Sequence, residues 1–115
     1  MNIFAESIQE ELVLFQHDLV HIERNHLGKI KKKTYFTEDP VSTIQRAAWT
    51  RAVKVFRRQH GDKKVCLFSL DRRIGYDPKA HRWCTKLLVV MVSVGDMQRI
   101  ITAYPVWRYG SMRQQ

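Results

Sequence analysis

The stretch Trp83–Val94 (WCTKLLVVMVSV), the pair Gly95-Asp96 and the stretch Met97–Tyr104 (MQRIITAY) read together as two long strands joined by a tight turn. Val89, Val90 and Val92 stiffen the first strand and Ile100 and Ile101 the second, as β-branched residues do on a pleated surface. Closing the hairpin with Val94 opposite Met97 places Val89 opposite Thr102 and Leu87 opposite Tyr104. Thr102 and Tyr104 then project from the same face, and Pro105 ends the strand. Upstream, Val65–Leu70 is a shorter β-prone run. Asp71–Arg73 turns the chain, Ile74–Tyr76 returns, and Asp77-Pro78 marks another turn. The expected sheet is antiparallel, with about four strands spanning residues 64–105, and residues 106–115 form a tail.

Residues 1–60 read as helical. Phe4, Ile8, Leu12, Phe15, Leu19 and Ile22 recur at steps of four and three and make one stripe. Glu6, Gln9, Glu10 and Asp18 fall largely off it. Gly28 is the helix stop, and Lys29–Lys33 form a basic connector. A second helix begins at Pro40 with Asp39 as its cap. Ile44, Ala48, Ala52 and Val55 line its apolar side, widened by Trp49, Val53 and Phe56, and it ends before His60-Gly61-Asp62. The expectation is one α+β domain over residues 1–115, with two N-terminal helices packed on a small antiparallel sheet.

With 115 residues, one core is affordable and two are not. A 44% hydrophobic and 27% charged composition excludes a disordered polyelectrolyte. The longest apolar run, Leu87–Val92, is far short of the roughly 20 residues that span a bilayer. Cys66 and Cys84 lack CxxC spacing and read as buried thiols, with a disulfide between them as the alternative. The net charge is +9, and residues 24–115 alone hold 20 basic and 6 acidic residues, a net of +14. Such a field suits nucleic-acid phosphates, an anionic membrane face or an acidic protein.

The chemistry concentrates in His21-Ile22-Glu23-Arg24-Asn25-His26, at the end of the first helix. His26 continues the apolar stripe toward the core side. Imidazoles carry protons near neutral pH, arginine grips phosphate with two parallel hydrogen bonds, and the Thr102 and Tyr104 hydroxyls can donate to phosphate oxygens. These are the needs of RNA cleavage by its own 2′-hydroxyl: a base, an acid and a donor to the crowded phosphorane. No metal or other cofactor is required. The alternative is that His21 and His26 merely complement the helix dipole. His17 and His21 share a helix face, but nothing completes a metal set. There is no glycine-rich phosphate loop. A second basic group, Arg72, Arg73, Lys79, His81, Arg82 and Lys86, interleaves with Tyr76 and Trp83 as single-stranded RNA binding requires. Lys29, Lys31, Lys32 and Lys33 act as an electrostatic attractor.

His21, Arg24 and His26 closing a helix, a second helix, and a late strand reading Ile101-Thr102-Ala103-Tyr104-Pro105 resemble the BECR nucleases, a group named from barnase, EndoU, two colicins and RelE. The resemblance runs over residues 1–105. The chain carries no Gly-x-His-His pair of the EndoU kind and no carboxylate base of the barnase kind. The resemblance implies a metal-independent endoribonuclease cutting tRNA or another structured RNA, with His21 and His26 moving protons, Arg24 on the phosphate, and Thr102 and Tyr104 as strand hydroxyls. It further implies a toxin domain that acts in the cytoplasm of a target cell and is blocked by an acidic immunity protein. Two rivals share the charge: a nucleic-acid-binding module without cleavage, and an interaction protein with a basic face.

Overall fold

The computed structural model describes residues 12–28, 30, 32–48, 52–57 and 63–108. Among them the chain runs β1 (Leu12–Val13), α1 (Gln16–His26), β2 (Tyr35–Phe36), α2 (Pro40–Ala48), β3 (Ala52–Arg57), β4 (Lys63–Ser69), β5 (Gly75–Asp77), β6 (Arg82–Cys84), β7 (Lys86–Val94) and β8 (Met97–Val106). The class is α+β, as expected. The sheet is richer than expected: a five-stranded sheet of order β1-β8-β7-β4-β3 and a three-stranded antiparallel sheet of order β2-β5-β6.

The β7–β8 hairpin anchors the fold. Val94 faces Met97 and the ladder is regular as far as Met91 opposite Ile100. There Ile101 is inserted as a bulge, and pairing resumes with Val90 opposite Thr102, Val89 opposite Ala103 and Leu88 opposite Tyr104. The expected pairs Val89–Thr102 and Leu87–Tyr104 are therefore off by one. The cause is the Ile100-Ile101 doublet, in which both residues find apolar surroundings on opposite faces. Ile100 joins the cluster with Met91, Val89 and Ala103, and Ile101 packs on the cluster with Val90, Leu88 and Tyr104. Pro105 does not end the strand: it pairs with Leu87, and β8 runs on to Val106. Among the described residues β1 pairs with β8 at Gln98 and Arg99 alone, and no further strand there needs the N–H that Pro105 lacks.

The N-terminal half departs from its helical pattern twice. Leu12 and Val13 form a short parallel strand against Gln98 and Arg99, and the helix begins only at Gln16. The open flank of β8 offers that segment a ladder that a helix would forgo. Phe4 and Ile8 lie outside the described residues. The second helix stops at Ala48, and Ala52, Val53, Val55 and Phe56 lie in β3, antiparallel to β4. Val53-Lys54-Val55-Phe56 is β-branched and aromatic, and β4 supplies its hydrogen-bonding edge. Trp49, Arg51 and Arg58 lie outside the described residues. The helix signals themselves are realised. Asp39 Oδ2 accepts from Ser42 N at 2.9 Å, Pro40 opens α2, and Gly28 takes φ +84° just past α1.

The run Trp83–Val94 divides between sheets. Its first residues belong to β6 and the rest to β7, with a break at Thr85, whose carbonyl accepts from Leu70 N at 2.9 Å. Residues 70–85 thus leave the large sheet, form the β5–β6 hairpin and pair with β2. Gly75 lets this small sheet close on β8. A Cβ there would sit 2.4 Å from Pro105 Cγ and 2.5 Å from the Tyr35 carbonyl oxygen. The main core joins Leu19 and Ile22 of α1 and Ile44 of α2 to Leu87, Val89 and Ile100 of the sheet. Each such buried side chain contributes about 1.5–3 kcal/mol. Cys66 and Cys84 are buried free thiols, as expected; burial raises both pKa values, that of Cys84 to about 12.

Candidate functional site

α1 and β8 lie against each other, and their contacts define two polar sites, one at each end of the helix. His17 and His26 are about 13 Å apart along its axis at 1.5 Å per residue.

At the C-terminal end, His26 is 8% exposed. Its ring stacks on Tyr104 with centroids 4.8 Å apart and planes inclined by 18°. Nδ1 donates to the Thr34 carbonyl oxygen at 2.8 Å. That bond places the proton of the neutral ring on Nδ1 and leaves the lone pair on Nε2. Burial lowers the His26 pKa below the usual 6.5. The Thr34 bond opposes this, and the charges of Lys33 and His21 add to it. The ring is therefore neutral at physiological pH and able to accept a proton. Around it lies a polar chain. Asn25 Nδ2 donates to the His21 carbonyl at 2.9 Å and lies 3.3 Å from His21 Nδ1, while Lys33 Nζ donates to Asn25 Oδ1 at 3.3 Å. His21 and Arg24 are exposed.

The structure thus brings His26 into contact with the buried Tyr104, while His21 and Lys33 stay exposed and are linked to each other through Asn25. Thr102 is half-buried on the same strand face as Tyr104, two residues upstream; among the described residues no hydrogen bond ties it to either imidazole. Arg24 is on the helix end with its side chain in solvent.

The other sequence-predicted cations are dispersed. Lys29 and Lys31 lie outside the described residues. Lys32 is exposed with φ +69°. Arg72 is not a free cation: it pairs with Glu38, which also takes Arg46 at 3.4 Å. Arg73 stacks on Trp83, 4.7 Å from the ring centroid, and Arg82 on Trp107 at 5.1 Å. His81 is exposed at φ +56° in the β5–β6 turn, where Asp77 Oδ1 accepts from Lys79 N and Ala80 N. Lys86 is half-buried at the end of β7.

No known protein family, curated protein or solved structure matches the chain. The reading of the site therefore rests on its residues.

The site at the N-terminal end of α1 was not expected from the sequence. Asp18 is buried and held by Arg99, with Nε to Oδ2 at 2.9 Å and Nη2 to Oδ1 at 3.1 Å. Arg99 Nη2 also meets His17 Nε2, and its guanidinium lies 5.3 Å from the Phe15 ring centroid. This pair fastens the start of α1 to β8. The expectation that Asp18 falls off the apolar stripe is overturned: three residues after Phe15 and four before Ile22, it is buried with Leu19 and Ile22 on the inner side of α1. Among the described residues no cluster of three or more His, Cys, Asp or Glu is placed to hold a metal, and no helix is long and apolar enough to cross a membrane.

Proposed function

We propose that the protein is an endoribonuclease that cleaves RNA by attack of the 2′-hydroxyl on the adjacent phosphate. The observation that carries this is the His26–Tyr104 stack, which joins a neutral imidazole to the strand bearing Thr102 and Tyr104, in a neighbourhood of positive charge. His26 Nε2 takes the 2′-hydroxyl proton, and the 2′-oxygen bonds to phosphorus. The bond to the 5′-oxygen breaks, and that oxygen takes a proton from the His21 imidazole. The products are a 2′,3′-cyclic phosphate and a 5′-hydroxyl. Lys33 offsets charge on the phosphorane, the Thr102 hydroxyl donates to its oxygens, and the buried Tyr104 ring holds the His26 imidazole against β8.

The resemblance to BECR nucleases supports this reading and extends it. The substrate is then tRNA or another structured RNA met in the cytoplasm of a target cell, and the inhibitor is an acidic immunity protein suited to the net charge of +9.

The test is incubation of purified protein with total RNA in a chelating buffer, followed by end analysis of the fragments. Cyclic phosphate ends are expected. His26→Asn, His21→Ala and Tyr104→Phe each remove one group, and loss of either imidazole should lower the rate by about 10²-fold or more. Intact RNA with the wild-type protein at every concentration would remove the proposal. Salt-sensitive binding without cleavage would favour the binding module instead.

A further inference from the structure

The small sheet carries an aromatic row that the cleavage chemistry does not use. Tyr35 of β2 pairs directly with Tyr76 of β5, and Tyr76 with Trp83 of β6, so the three rings share one face. The ring centroids are 6.1 Å apart for Tyr35–Tyr76, with planes tilted by 48°, and 5.2 Å apart for Tyr76–Trp83, which meet edge to face at 76°. The opposite face is the inner one: Phe36, Gly75 and Cys84 are buried there. The row is therefore the outward face, and Trp83 at its end is 45% exposed with the Arg73 guanidinium stacked on it. Its other end adjoins the proposed cleavage site, because Tyr35 directly follows Thr34, whose carbonyl orients His26.

We infer that this row is a stacking platform for single-stranded RNA, continuing the strand whose phosphate lies at His26. Bases present flat faces that aromatic rings accept whatever their sequence, and a guanidinium parallel to a ring adds a cation to the same stack. Charge selects the occupant: Arg73 on the row, Lys33 beside its Tyr35 end and the overall surplus of positive charge favour a polyanion. A duplex hides its base faces and cannot use the row. The inference rests on the ribonuclease reading for its direction across the molecule, though the platform itself needs no cleavage.

The experiment uses a short, fluorescein-labelled 2′-O-methyl oligouridylate. It lacks the attacking hydroxyl, so binding is measured by anisotropy without cleavage. Cleavage is followed separately on the matching unmodified RNA. Trp83→Ala is expected to weaken binding about 10-fold or more, with Trp83→Phe within about twofold of wild type. Arg73→Gln should lower affinity and flatten its salt dependence. Both positions are exposed, and unchanged thermal unfolding verifies that each variant is folded. An RNA duplex of the same length should compete poorly. Wild-type affinity in both Trp83→Ala and Arg73→Gln, or equal competition by duplex, overturns the platform even if the protein cleaves RNA. Weakened binding in Trp83→Ala, together with no cleavage by the wild-type protein, keeps the platform and removes the nuclease.

Discussion

Replacing Arg99 by Met tests how α1 is held in place. The substitution keeps an apolar stem near Phe15 and removes both hydrogen bonds to Asp18. The Asp18 side chain is 9% exposed and the Arg99 side chain 30%. Breaking a fully buried ion pair costs about 3–5 kcal/mol, because the surviving charge is stranded, whereas exposed pairs contribute about 0–1 kcal/mol. Asp18 meets the first condition and Arg99 only part of it, so the expected loss is about 2–3 kcal/mol. For a domain of this size that lowers the unfolding midpoint by roughly 10 °C. The measurement is urea unfolding at neutral pH for Arg99→Met, Asp18→Asn and the double variant. The double variant should be more stable than the sum of the singles predicts by at least about 1 kcal/mol, since removing both partners strands nothing. A loss below about 0.5 kcal/mol in Arg99→Met, or strictly additive singles, would refute the view that this pair anchors the helix.

The His26 pKa is lowered on folding, so the unfolded chain binds its proton more readily. Stability is full above about pH 6.5 and is lost as pH falls from there through the lower folded value. Comparing urea midpoints of wild type and His26→Asn across this range should show a shallower acid-side slope in the variant. Gly75→Ala should destabilise by about 3 kcal/mol or more, because its Cβ would overlap the Pro105 ring and the Tyr35 carbonyl, neither of which is a flexible side-chain end; a near-wild-type midpoint in thermal unfolding would contradict the close seating of the two sheets. Cys84 should resist a thiol reagent at pH 8 in the folded protein and react promptly in urea, since burial and the Asp77 charge hold its pKa near 12.

The hairpin, the caps and the buried thiols were legible because each depends on neighbours in the chain. Asp39 reaches Ser42 three residues on, and Val94 meets Met97 across a two-residue turn. What escaped depends on distant partners. Leu12-Val13 satisfies a helical stripe as well as a strand, and only the free flank of β8 decides between them. The residues from Ala52 to Phe56 extend the α2 pattern in sequence, yet β4 claims them. The candidate site was legible in part. His26 and Tyr104 were singled out and their rings stack, whereas His21 and Arg24 stay in solvent and the Thr34 carbonyl that fixes the His26 tautomer leaves no mark in residue type. Tyr35 went unnoticed because its row forms only when β2 and β5 pair across about 40 residues of chain.

The inserted Ile101 sets the parity of the last strand. Were it paired in a regular ladder instead, Tyr104 would stand opposite Leu87 and turn toward the layer beneath the helices, while Ala103 would take its place beside Leu88. Deleting Ile101 outright would leave Thr102 opposite Val90 and Tyr104 opposite Leu88, whereas keeping it and drawing it into the ladder would exchange even and odd positions from there to Val106. Setting one residue aside from the ladder is thus as much a determinant of the chemistry as the identities of the residues the arm carries.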